Sequence, residues 1–223
     1  MGSIKWLGQS GFEIKAGGKI TLVDPFLTDN PKAPISPKDI KEADLICVTH
    51  DHMDHLGDSI NLAKRTGATF VSIFELGNYA ENQGVENTVR MNMGATLDVK
   101  GVKVSMVQAF HSSQRGSPCG FVLDFGEERI YHAGDTSLFG DMKLIGEYYE
   151  PEIACIPIGG YYTTGPREAA IATSLIKPEI VVPMHYGTFP EIQQDPNEFA
   201  KLVESSVESV EVNILEPGEK FTF

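Results

Sequence analysis

Along the first quarter of the chain, apolar and polar positions alternate in short runs. Residues 4–7 and 12–15 flank Gly8-Gln9-Ser10-Gly11, which predicts two strands joined by a tight turn. A Gly17-Gly18 turn leads into a third strand over 19–23, closed by Asp24-Pro25. Pro25, Pro31, Pro34 and Pro37 predict a loop, because proline lacks an amide hydrogen and disfavours helix before it. Residues 45–49 form a continuous apolar run ending in threonine, as expected of a strand buried on both faces. Helix is predicted over 58–64 and 74–81, with a strand over 69–72 between them.

The middle of the chain is strand-rich again, at 88–91, 96–99, 103–110, 120–125 and 129–133. Strands at 153–157, 180–184 and 210–215 then alternate with helices at 167–176 and 197–207. Each half therefore has a block of strands followed by alternating strand and helix. That order predicts an α/β fold of two packed sheets covered by helices, a four-layer αββα sandwich. No fixed-period repeat, low-complexity stretch or linker interrupts it, so residues 1–223 are expected to form one domain.

Composition narrows the class. The 223 residues are 41% apolar, enough for a sizeable core and unlike a disordered chain. No run approaches the ~20 apolar residues of a membrane span, and Met1-Gly2-Ser3-Ile4-Lys5-Trp6 lacks the basic-then-apolar order of a signal peptide. The expectation is a cytoplasmic protein with no membrane partner. Cys47 and Cys155 sit inside apolar runs, Cys119 lies between Pro118 and Gly120, and none forms a Cys-x-x-Cys pair. Buried reduced thiols are expected. The net charge of −13 argues against sequence-independent binding to nucleic acid, which needs basic surface. A small-molecule substrate is the expected partner.

The six histidines carry the chemistry. Three fall in Thr49-His50-Asp51-His52-Met53-Asp54-His55, directly after the buried strand. Residues two apart on an extended segment point the same way, so His50 and His52 can bind one metal. Asp54 and His55 follow a further turn and can face a second metal beside it. No apolar periodicity supports a long helix through this segment. Imidazole with carboxylate suits zinc, iron, manganese or nickel. Further candidates come singly at strand ends, where α/β proteins place site residues: His111, Asp135 and His185.

In these motifs the chain resembles the metallo-β-lactamase superfamily. The matching residues are Asp24, the 49–55 segment, His111, Gly134-Asp135-Thr136 and His185. Within it the chain is most similar to a small metal-dependent hydrolase family related to ascorbate-phosphate lactonase. Trp6-Leu7-Gly8-Gln9-Ser10-Gly11, Tyr131-His132-Ala133-Gly134-Asp135-Thr136, Pro157-Ile158-Gly159-Gly160 and Pro183-Met184-His185-Tyr186 carry that closer likeness.

The resemblance implies the metallo-β-lactamase fold and a dinuclear centre. In that reading His50, His52 and His111 bind one metal, Asp54, His55 and His185 the other, and Asp135 bridges them. Asp24 would orient a histidine ligand. Zinc is the first choice of ion, with manganese, nickel or iron also accommodated. A hydroxide shared by the metals would cleave a small ester, lactone, phosphoester or amide, with Asp135 holding the metal pair and Asp54 receiving a proton. The resemblance also implies a homo-oligomer. Two other readings are a diiron or mononuclear iron oxidoreductase and a non-catalytic metal-binding protein. Diiron members typically carry glutamate where this chain has His52, which favours hydrolysis. A full ligand set argues against a non-catalytic role.

Three features stay open at this stage. His132 has either a supporting role or a role as leaving-group acid or substrate contact. The Gly159–Gly165 segment is either a connecting loop or a contact for a substrate phosphate or carboxylate. Arg115 either touches an anionic substrate or lies solvated in its loop.

Overall fold

A computed structural model describes residues 1–207 and 209–223. Among these residues, fourteen strands form two seven-stranded sheets. The first contains β1 (Ser3–Trp6), β2 (Phe12–Ala16), β3 (Lys19–Val23), β4 (Leu45–Cys47), β5 (Thr69–Ile73) and β6 (Thr88–Met91). The second contains β7 (Thr96–Val99), β8 (Val102–Gln108), β9 (Cys119–Asp124), β10 (Arg129–His132), β11 (Ile153–Pro157), β12 (Ile180–Met184) and β13 (Glu211–Val212). The last strand, β14 (Lys220–Thr222), returns to the first sheet and pairs antiparallel with β1. Helices α2 (Ser59–Thr66) and α3 (Phe74–Asn82) pack on the first sheet, while α4 (Met142–Tyr149), α5 (Pro166–Ile176) and α6 (Pro196–Ser206) form a layer on the second. The order of layers is the αββα sandwich expected from the sequence.

Strand direction places the chemistry at one edge. β3 and β4 run parallel. β8 and β10 are each antiparallel to β9, so they share a direction, and β10, β11 and β12 are parallel. Asp24 follows β3, His50 follows β4, His111 follows β8, Asp135 follows β10 and His185 follows β12. The C-terminal ends of the parallel strands thus gather residues from both sheets, as open α/β sheets commonly do.

Burial explains why the apolar runs become central strands. Every residue of β4, β5 and β11 is buried, whereas β1 alternates. α2 buries Ser59, Leu62 and Ala63 on one face and ends at Gly67, whose amide donates to the Ala63 carbonyl from a left-handed conformation.

Some local expectations differ from the structure. The turn expected before Asp54 and His55 takes the form of a single helical turn, α1 (Met53–Leu56). The strand expected over 210–215 is reduced to β13, and β14 and α4 extend the pattern read from the sequence. α4 buries Met142, Ile145 and Gly146, the i, i+3, i+4 spacing of an amphipathic helix. Among the described residues, no helix is long and apolar enough to cross a membrane.

Candidate metal centre

The segment after β4 changes direction twice in a few residues. His50 and His52 lie on extended chain, then α1 turns Asp54 and His55 toward the same space. Gly57 ends that turn at φ +41°, and a Cβ there would lie 2.7 Å from both the Phe26 Cα and the Pro25 carbonyl oxygen. Only glycine fits so close an approach to the loop after β3. Gly134 has the same role beside Asp135: its φ is +62°, and a Cβ would meet the Cys119 carbonyl oxygen at 2.5 Å.

All seven residues proposed from the sequence converge. Three overlapping groups each present ligand atoms within 4.8 Å of one another: His50, His52 and His111; His50, His55 and Asp135; Asp54, His55 and His185. His50, His55, Asp135 and His185 are buried, while His52, Asp54 and His111 are half-buried and face a cavity. His185 Nε2 lies 3.1 Å from Asp135 Oδ2 and 3.4 Å from Asp54 Oδ2. His111 Nε2 lies 3.5 Å from Asp135 Oδ2.

Hydrogen bonds on the outer side fix which ring nitrogens point inward. Asp24 is fully buried and accepts from the Thr49 amide at 2.8 Å, the Thr49 hydroxyl at 2.6 Å and His55 Nδ1 at 2.7 Å. The Thr49 hydroxyl has spent its hydrogen on Asp24, so it accepts from His50 Nδ1 at 3.0 Å. Both rings therefore hold a proton on Nδ1 and turn Nε2 inward. This is how ligating histidines are usually held.

The donor set fits a cation. His55 Nε2 and Asp135 Oδ1 lie 3.2 Å apart, fully buried, yet neither has a hydrogen-bond partner. Buried polar atoms are rarely left so, and two such atoms facing each other suit a shared ion. Charge points the same way. Burial works against a charged His55, but Asp135, Asp54 and Asp24 outweigh it and raise its pKa well above the usual value. Burial likewise opposes the charge on His185, and Asp135 with its hydrogen bonds raises that ring to about 9. Burial would raise the Asp135 carboxyl, but His185 and His55 hold it well below the ordinary range. His50, with burial and His55 both acting against its charge, is pushed down to about 2. The carboxylates thus demand positive charge at the centre, and neutral His50 keeps a lone pair for it.

The structure also reveals supporting residues that the sequence pattern did not mark. Gln9 donates from Nε2 to Asp54 Oδ2 at 2.9 Å, and its carbonyl oxygen accepts from the His185 amide at 2.9 Å. Gln9, Asp24 and His185 all adopt positive φ, at +54°, +45° and +58°. Such backbone costs about 1–3 kcal/mol per residue and tends to collect at functional sites. Asp51 turns away from the cavity and accepts from the Ser113 hydroxyl, the Gln114 amide and Arg115. Arg115 also lies over the Tyr79 ring, 4.1 Å from its centroid. It therefore latches the histidine segment to the loop after His111 and does not line the cavity.

His132 ends β10 fully buried. Its Nε2 donates to the Ser10 carbonyl at 2.9 Å, and its Nδ1 accepts from the Gly134 amide at 3.2 Å. Both nitrogens are committed and burial lowers its pKa, so it supports the strand ends as a neutral ring. In the Gly159–Gly165 loop, the Gly160 amide donates to Thr164 and the Thr164 amide to Thr136.

Comparison with known proteins agrees with this geometry. A family model described as "Beta-lactamase superfamily domain" matches residues 3–185. The chain is similar to the UPF0173 metal-dependent hydrolase of Methanopyrus kandleri, at 52% identity over 227 residues and 98% of each chain. The UPF0173 metal-dependent hydrolase of Caldivirga maquilingensis is also 52% identical, over 98% of this chain and 97% of its own. Among solved structures, Igni18, described as a novel metallo hydrolase from Ignicoccus hospitalis, matches with a TM-score of 0.92 at 39% identity, covering 100% of this chain and 99% of that one.

Proposed function

We propose that this chain, which belongs to the β-lactamase superfamily and is a metal-dependent hydrolase, works through a dinuclear centre on a small-molecule substrate. The observation that carries this reading is the buried, unpartnered pair His55 Nε2 and Asp135 Oδ1 within three overlapping ligand groups. His50, His52 and His111 would hold one divalent cation, Asp54, His55 and His185 the other, and Asp135 would lie between them. Zinc is the proposed ion, with manganese, nickel and iron as the substitutes to test. Such a pair supplies Lewis acidity for the scissile group and water that ionises near neutral pH.

The protein's own residues do the rest. Asp24 and Thr49 keep the Nδ1 protons on His55 and His50, so both rings offer Nε2 inward. Gln9 orients Asp54, the half-buried carboxylate that lines the cavity and is the proposed proton acceptor. The cavity, about 400 Å³, holds a small molecule beside His52, His111, Asp135 and His185. The reaction class is hydrolysis of an ester, lactone, phosphoester or amide. Elemental analysis of the purified protein, paired with hydrolysis of lactones and bis-p-nitrophenyl phosphate before and after chelation, tests this. About two metals per chain and chelator-sensitive turnover are expected. Two irons with oxygen consumption and no hydrolysis would overturn it.

A further inference from the structure

Five residues line the cavity besides the proposed ligands: Met53, Ser112, Tyr162, Phe189 and Glu191. Three of these are apolar or aromatic. Met53 and Tyr162 stand 65% and 54% exposed, and the Tyr162 ring packs against Tyr161 with centroids 4.7 Å apart. Glu191 adds a carboxylate. Among the described residues, no lysine or arginine lines the cavity.

The wall that carries Phe189 and Glu191 is built rather than loose. Ile192 is fully buried, its carbonyl accepts from the Gly187 amide at 2.8 Å, and Gln193 Nε2 donates to the Phe189 carbonyl at 2.8 Å. These bonds fix the loop directly after His185. Two nearby groups that could bind an anion are already committed. Arg115 is paired with Asp51, and the Thr164 hydroxyl donates to the Pro157 carbonyl at 2.6 Å. Recognition of a phosphate dianion normally uses arginine, lysine or free backbone amides.

We propose that the cavity takes an uncharged carboxylic ester or lactone bearing an apolar or aromatic group, and that Glu191 discriminates against anionic substrates. This rests on the hydrolase reading above. The apolar group would lie against Phe189, Tyr162 and Met53, with the carbonyl toward the ligand cluster. Hydrolysis forms one bond from water oxygen to the acyl carbon and breaks the acyl–oxygen bond. One water hydrogen ends on the leaving oxygen, and the other leaves to solvent as a proton when the acid ionises. The acid produced is anionic, so Glu191 also favours its release.

The test uses metal-loaded protein and charge reversal. Glu191→Lys should raise kcat/KM for 4-nitrophenyl phosphate about tenfold and leave 4-nitrophenyl butyrate within about twofold. Phe189→Ala and Tyr162→Ala should each cut the preference for butyrate over acetate ester by about fivefold. Calorimetric titration supplies a readout without turnover: Glu191→Lys should tighten phenyl phosphate binding about tenfold, and Phe189→Ala should weaken N-benzylacetamide about fivefold. Binding shifts of this kind without any hydrolysis would sink the hydrolase reading and uphold the cavity assignment. Hydrolysis with an unchanged ratio of anionic to neutral substrate in Glu191→Lys would overturn the assignment and leave the hydrolase reading standing.

Discussion

The Asp24 carboxylate and the His55 ring meet at 2.7 Å with both side chains fully buried. One contact joins the end of β3 to the segment after β4 and decides which nitrogen of His55 faces the ligand cluster. Asp24→Asn keeps the shape and the bond from the Thr49 amide but removes the charge behind the ring. Loss of such a partner typically weakens metal binding about 10–100-fold. Competition with a chelator measures it, and an unchanged affinity would show that Asp24 is merely structural.

Asp135 touches both halves of the cluster, lying 3.5 Å from His111 Nε2 and 3.1 Å from His185 Nε2. Asp135→Asn should lower metal content from about two toward one per chain with the circular dichroism spectrum unchanged. His50→Ala should remove metal and turnover together, since His50 belongs to two of the three ligand groups. Full occupancy in either variant counts against the ligand assignment.

The candidate ligand set is legible in the sequence because its residues follow strands with strong local signals. The 45–49 run, the 180–184 run and the one before His111 are apolar enough to place their ends. Supporting residues are harder to read. Gln9 reaches Asp54 across 45 positions of sequence, and Asp51 meets the 113–115 loop more than 60 positions away. Nothing local marks such pairs. The cavity wall is similar: Phe189 and Glu191 are placed by the buried anchor Ile192, which looks like any apolar loop residue. β14 is only three residues long and finds its partner at the opposite end of the chain. The α4 spacing is present in Met142, Ile145 and Gly146, but the glycine weakens its apolar signal, and no helix is predicted there from the sequence.

Arg115 joins two loops that each carry a proposed ligand. Its guanidinium bonds Asp51 at 2.8 Å and covers the Tyr79 ring. Arg115→Ala should lower stability by about 1 kcal/mol, the scale of a partly exposed ion pair with a cation–π contact. It should also speed extraction of metal by a chelator, because Asp51 sits between His50 and His52. Arg115→Lys keeps a charge but loses the planar stack, so partial rescue is expected. Thermal melting alongside chelator kinetics checks both effects; equal extraction rates in all three proteins would confine Arg115 to stability.

Cys47, Cys119 and Cys155 are free and fully buried, and burial pushes all three thiols far up from their usual pKa. Raised folded-state values fix the sign of the linkage. Below the unfolded value of about 8.5, both states hold the proton and stability is unaffected. Above it, the unfolded chain ionises while the folded chain does not, so stability falls as pH rises. At pH 9.5 each thiol should have withdrawn about 1.4 kcal/mol, or about 4 kcal/mol for the three. The thiols act over the window from about pH 8.5 to 10. Tyrosine and lysine ionise mostly above about pH 10, whereas His185, raised to about 9, titrates inside this range, so the difference between wild type and a cysteine variant, and not the total slope, reports the thiols. Cys155→Ala lies away from the ligand cluster and should reduce the thiol part of the loss across that window by about a third. Urea denaturation at a series of pH values measures the slope, with thiol labelling of the native protein at pH 8 as a control. A slope identical in wild type and Cys155→Ala, or rapid native labelling, would mean that the thiols are not sealed in the core.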